Sequence, residues 1–79
     1  SDMTLKIISA TEVLFEGDVD MVTLPGEKGR FTVLNNHASL ISTLVAGDIA
    51  YRHDSVTSTT HIDGGIADVD NNLVSVCVY

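Results

Sequence analysis

The chain has 79 residues, 44% of them hydrophobic, which is the composition of a globular protein and the length of a single domain spanning 1–79. Four Lys+Arg against eleven Asp+Glu give a formal net charge of −7, and Lys6, Lys28, Arg30 and Arg52 are too few and too scattered to neutralise a phosphate backbone, so no nucleic-acid partner is expected. No apolar run approaches the about 20 residues of a bilayer-spanning helix, no signal peptide is visible at Ser1-Asp2-Met3, and the single cysteine, Cys77, offers no intrachain disulfide. Direct membrane insertion is therefore not expected.

Valine (10), isoleucine (6) and threonine (8) are abundant, β-branched types that favour pleated sheet, and the glycine and Asn/Asp punctuation matches the turn spacing of an all-β sandwich or barrel. In chain order, residues 4–9 read as a strand with Leu5 and Ile7 on one face, and residues 13–15 as a short second strand ended by a turn at Glu16-Gly17-Asp18. Residues 19–24 form the next strand, with Pro25-Gly26 placed to close it in a type II turn before Phe31 and Val33 resume the sheet. Leu40, Ile41, Leu44 and Val45 are spaced as on a helix but over only two turns, so 38–45 is expected to be a loop or short helical turn. Gly47-Asp48 opens a hairpin of alternating Ile49, Tyr51, His53 and Val56, Ser58, Thr60, Ile62, reversing at Asp54-Ser55. After Asp63-Gly64-Gly65 a second hairpin turns at Asp70-Asn71-Asn72, with Val74, Val76 and Val78 in the core, where each buried valine contributes roughly 1.5–3 kcal/mol before entropy. A domain this small buries only roughly 60–65% of its unfolded surface, a thin core that a partner would extend.

The chemistry-bearing residues favour structural roles. Gly26-Glu27-Lys28-Gly29 has the glycines of a phosphate loop, but Arg30 and a strand follow where a Walker loop needs Ser/Thr and a helix. His37, His53, His61 and Cys77, at intervals of 16, 8 and 16, match no compact zinc spacing, and no metal or cofactor is expected. Cys77 is read as a buried or half-buried small hydrophobe. The oxygen donors Asp68, Asp70, Asn71 and Asn72 lack the glycine and terminal glutamate of an EF-hand. Ser39 or Ser42 with His37 and an Asp make a catalytic trio only on paper, without a nucleophile-elbow sequence, so no catalytic residue is assigned.

The segment Leu24-Pro25-Gly26-Glu27-Lys28-Gly29-Arg30-Phe31-Thr32-Val33-Leu34-Asn35-Asn36-His37-Ala38-Ser39-Leu40 resembles the N-terminal β-sandwich of the epsilon subunit of F-type ATP synthase, above all at Asn36-His37-Ala38 and Leu40. Gly64-Gly65-Ile66, Asp68-Val69, Asn71 or Asn72, and residues 73–78 match a second block of that family, and Leu5 to Ser9 with Phe15 and Gly17 match its opening strands. Asn35 and Ser39 depart from it, standing where the family usually has prolines, so the loop around His37 is less stiffly preset.

The resemblance implies a flattened sandwich of about ten short strands without catalytic activity. It implies a subunit that couples the gamma subunit to the c-ring, so that rotation driven by protons or sodium ions powers ATP synthesis, at the cytoplasmic face of the bacterial inner membrane. Carried over residue by residue, Glu27, Lys28, Arg30, Asn36 and His37 face the ring, and Ser9, Ala10 and Ser42 face gamma. The helical pair that follows the last strand in many members is absent from this sequence, and the inhibitory and ATP-sensing roles of those helices are not expected of it. The competing expectation is a free-standing β-sandwich that binds a small ligand or carbohydrate. With only Phe15, Phe31, Tyr51 and Tyr79 aromatic and no tryptophan, it has little to stack on a sugar.

Overall fold

The computed structural model of the chain describes residues 3–79. Among the described residues the β-branched composition is expressed as seven strands: β1 (Met3–Ile8), β2 (Val13–Val19), β3 (Met21–Gly26), β4 (Gly29–Leu34), β5 (Leu40–His53), β6 (Val56–Asp70) and β7 (Leu73–Val78). They hydrogen-bond into one sheet in the order β2-β1-β7-β6-β5-β3-β4. Every neighbouring pair is antiparallel except β1 and β7, which run parallel.

Two layers arise from this single sheet because its central strands serve both. The C-terminal part of β6, from Gly65 to Asp70, pairs with β7, whereas β3 pairs with β5 chiefly at its C-terminal part, from Ala50 to Arg52, and meets it again where Gly26 faces Leu44. The sheet curls until β2 meets β5, four places away in the order, and the Phe15 and Tyr51 rings pack with centroids 4.3 Å apart. Between the layers lie Leu5, Ile7, Val22, Leu24, Ile49 and Val76, all with no exposed surface, and no polar side chain is buried among the described residues. Gly65 is needed at the bend. Its φ is +159°, and a Cβ there would run into the carbonyl oxygen of Cys77 on β7.

The expected fold class holds, but the strand count among the described residues is seven, not the about ten that the resemblance implied, and several breaks read from the sequence lie inside strands. Glu16-Gly17-Asp18 continues β2, with Phe15 laid over Gly17, and Gly47-Asp48 and Gly64-Gly65 lie within β5 and β6. The 38–45 segment is not helical, since β5 begins at Leu40. There Leu44 points inward while Ile41, Thr43 and Val45 face solvent. With apolar residues on both sides, the two-residue period was hidden.

Pro25-Gly26 is not a turn either. It ends β3, and the reversal is Glu27-Lys28, with Gly26 paired to Gly29. The missing proline N–H falls where the β3–β5 ladder already shifts register, between Thr23 and Gly26. The reversals at Asp54-Ser55 (φ 49° and 69°) and Asn71-Asn72 (φ 49° and 60°) sit where the sequence placed them, with the paired positive φ of type I′ turns. Cys77 is exposed rather than buried, because it alternates with the buried Val76 and faces outward.

Candidate partner-binding surfaces

Glu27, Lys28 and Arg30 stand at the tip of the β3–β4 hairpin. The Glu27 N–H donates to the Thr43 carbonyl at 2.9 Å, which fastens the tip to β5. Arg30 turns back, its Nη1 donating to the Asp48 carbonyl at 2.9 Å. The tip and the start of β5 border an open groove of about 560 Å³ whose walls include Glu27, Lys28, Ile41 and Ser42. Ser42, expected on another surface, therefore lies beside the hairpin tip, its hydroxyl donating to the Thr43 carbonyl at 3.1 Å.

Asn36 and His37 occupy the opposite end of β4, separated from the hairpin tip by a six-residue strand, roughly 20 Å. The His37 N–H donates to the Leu34 carbonyl at 3.2 Å, closing a turn in which Asn36 has φ 63°. His37 Nδ1 lies 2.7 Å from the Ala38 carbonyl. Ser9 and Ala10 lie in the β1–β2 connection, where the Ser9 hydroxyl accepts from the Glu12 N–H at 3.3 Å and the Ser9 N–H donates to the Glu12 carbonyl at 2.9 Å. Ala10 is exposed.

Pairing register exposes a surface that strand-by-strand reading missed. Val13 pairs with Ile8, Ile8 with Cys77, Cys77 with Ile66, and Ile66 with Thr43, so these side chains share one face across five strands. That face is the outer one: Val13, Ile66 and Ile41 are 55%, 50% and 75% exposed. Ile41 and Val45, each two residues from Thr43 on β5, widen the row, which begins beside Ser9-Ala10. Outward valines and isoleucines on β2, β5 and β6 were the available signal, legible only once the register is known.

The histidines do not converge. Among the described residues the one set with metal-ligand geometry is Asp20, His53 and Asp54, donor atoms within 4.8 Å and mostly exposed. It forms a corner in which the Asp54 N–H donates to Asp20 Oδ2 at 3.1 Å, and His53 lies 3.5 Å from Asp18 and 3.2 Å from Asp54. His61 faces Asp48 instead, at 2.9 Å. The paper trio is not assembled, since Ser39 donates to Asp70 at 2.7 Å. A groove of about 440 Å³ runs past Phe15, Tyr51 and Val56, where the two rings pack on each other at 37°.

Residues 2–79 match the family model described as the ATP synthase delta/epsilon chain, beta-sandwich domain. The chain is 44% identical over 75 residues to the ATP synthase epsilon chain of Campylobacter lari, covering 94% of this chain and 58% of that one. It is 41% identical over 64 residues to that of Caulobacter vibrioides, covering 81% of this chain and 74% of the relative. It is 34% identical over 74 residues to that of Leptospira borgpetersenii, where it spans 58% of the relative's length. Its fold matches a chain in the cryo-EM structure of Euglena gracilis mitochondrial ATP synthase, OSCP/F1/c-ring, with TM-score 0.90 at 20% identity over 98% of this chain and 50% of that one. A chain in the Tetrahymena thermophila mitochondrial ATP synthase central stalk/c-ring structure matches with TM-score 0.81 at 15% identity, over 99% of this chain and 63% of that one. With its outer apolar face, its hairpin tip and its hydrogen-bonded loop on a seven-stranded two-layer sheet, this chain belongs to the family of ATP synthase delta/epsilon chains, of which it carries the β-sandwich domain.

Proposed function

We propose that this chain is a non-catalytic rotor subunit of an F-type ATP synthase, coupling the gamma subunit to the ring of c subunits at the cytoplasmic face of the bacterial inner membrane. In this role the domain transmits torque, so that ion-driven rotation of the ring reaches the ATP-forming sites. Its relatives carry the name ATP synthase epsilon chain, and its fold is that of chains in central-stalk and c-ring assemblies. The observation that carries the reading is the outward apolar row across five strands, a surface suited to a protein partner.

The physical logic is that of a stiff spacer. A close-packed interior deforms little under load, and an exposed apolar face gains from being covered. Gamma packs on the face that includes Ser9 and Ala10, reaching toward Ser42. The ring meets the Glu27-Lys28-Arg30 tip and the Asn36-His37 loop, which stand apart on opposite ends of β4 and so resist tilting as well as sliding.

Cys77 tests this without mutagenesis, because the exposed thiol stands between Ile8 and Ile66 in the row. A thiol reagent is expected to label it readily in the isolated chain and to be blocked once purified gamma is bound. Equal labelling with gamma demonstrably bound would move the interface elsewhere, and failure of gamma to capture the chain at all would end the coupling role.

A further inference from the structure

The Asn36-His37 loop has little to hold it by burial, since residues 35–39 are all exposed. Its turn, from Leu34 to His37, has positive φ at Asn36 alone, the arrangement of a type II turn, for which proline and glycine are the preset central residues. This chain has Asn35 and Asn36 there, so neither the fixed φ of proline nor the freedom of glycine contributes.

Hydrogen bonds from the β6–β7 turn supply what is missing. The Asn36 N–H donates to Asn72 Oδ1 at 2.6 Å, and Asn72 Nδ2 donates back to Asn36 Oδ1 at 3.3 Å. At the far end of the loop, Ser39 Oγ donates to Asp70 Oδ1 at 2.7 Å. The Asn72 carbonyl accepts from the Thr4 N–H at 2.9 Å, which anchors the turn itself to β1. A type I′ turn is best served by glycine at its second central position, where Asn72 stands, so the hairpin has no use for this side chain. The loop does.

We propose that Asn72 is the positioning residue of the Asn36-His37 loop, its carboxamide closing a two-way clamp that holds the partner-facing turn in one conformation. The inference rests on the coupling role only for what the loop meets. The clamp itself belongs to the isolated chain.

Asn72→Gly is the informative variant, because it removes the carboxamide and leaves the hairpin a residue suited to positive φ. Amide exchange measured by NMR on the chain is expected to speed up by about tenfold or more at Asn36, with Val74 and Val76 unchanged. Affinity for a purified gamma and c-ring subcomplex is expected to fall in the same variant. Adding Asn35→Pro presets the turn locally and leaves the Asn36 and His37 side chains in place, so affinity returns while the amide at position 36 stays fast, its acceptor gone. An Asn36 amide unaffected by Asn72→Gly overturns the clamp. Unchanged affinity despite fast exchange overturns the positioning role, as does a loss that the preset turn fails to restore, which would put Asn72 itself against the partner. The exchange measurement needs no partner, so it decides the clamp even if the unsubstituted chain does not bind the rotor, an outcome that would sink the coupling role instead.

Discussion

Lys28 and Arg30 stand two residues apart on one hairpin and do different work. Arg30 is held by the Asp48 carbonyl, whereas Lys28 stands exposed at the tip. Of the two positive charges on this hairpin, the structure turns one back onto the chain's own backbone. Lys28→Glu is therefore expected to leave stability within about 0.5 kcal/mol while altering ring affinity, and Arg30→Glu to lower the urea midpoint as well. Inside the core the consequences are larger. Leu5 and Ile7 have no exposed surface, and truncating either to Ala should cost about 2–5 kcal/mol by urea unfolding, a large share of the stability of a chain this short. These core residues were legible in the sequence, because alternation on β1 runs strictly buried and half-buried. The Arg30 bond was not, since Asp48 lies 18 residues away.

At the scale of elements, the reversals show which local signals suffice. Asp54-Ser55 and Asn71-Asn72 were placed correctly, since short polar residues between alternating strands mark a hairpin. Ser55 holds φ 69° without glycine's freedom, so Ser55→Gly is expected to raise stability by about 0.5–1.5 kcal/mol, read from the urea midpoint. The proline-glycine signal misled at Pro25-Gly26, because a proline is also tolerated where a ladder slips register. Type II geometry appears instead at the Leu34–His37 turn, so Asn35→Pro should stabilise by about 0.4–1 kcal/mol, acting chiefly through the unfolded chain. The start of β5 escaped recognition for a related reason. Ile41 and Val45 are apolar on the outward side, and that break in alternation extends the outer apolar row onto β5.

Across the whole molecule, one curled sheet makes both layers, and the bend of β5 and β6 is where the fold is most exposed to damage. Gly65→Ala would force a methyl group against the Cys77 carbonyl and is expected to loosen the β6–β7 pairing, seen as faster amide exchange along β7. The outer apolar row depends on the same pairing, since register alone aligns Ile66 with Cys77 and Ile8. Ile66→Asp should weaken gamma capture while leaving the circular dichroism spectrum intact, because half of that side chain is already in solvent. From the sequence alone came the all-β class, the inward faces of β1 and β7, two of the hairpin turns and the family resemblance, all of which depend on neighbours within a few residues. The tertiary structure alone decided the number of strands, the two layers drawn from one sheet, the apolar outer row and the tie between Asn36 and Asn72. Those features depend on which residues lie opposite one another across the sheet, and a pairing register is set by global packing rather than by any local run of side chains.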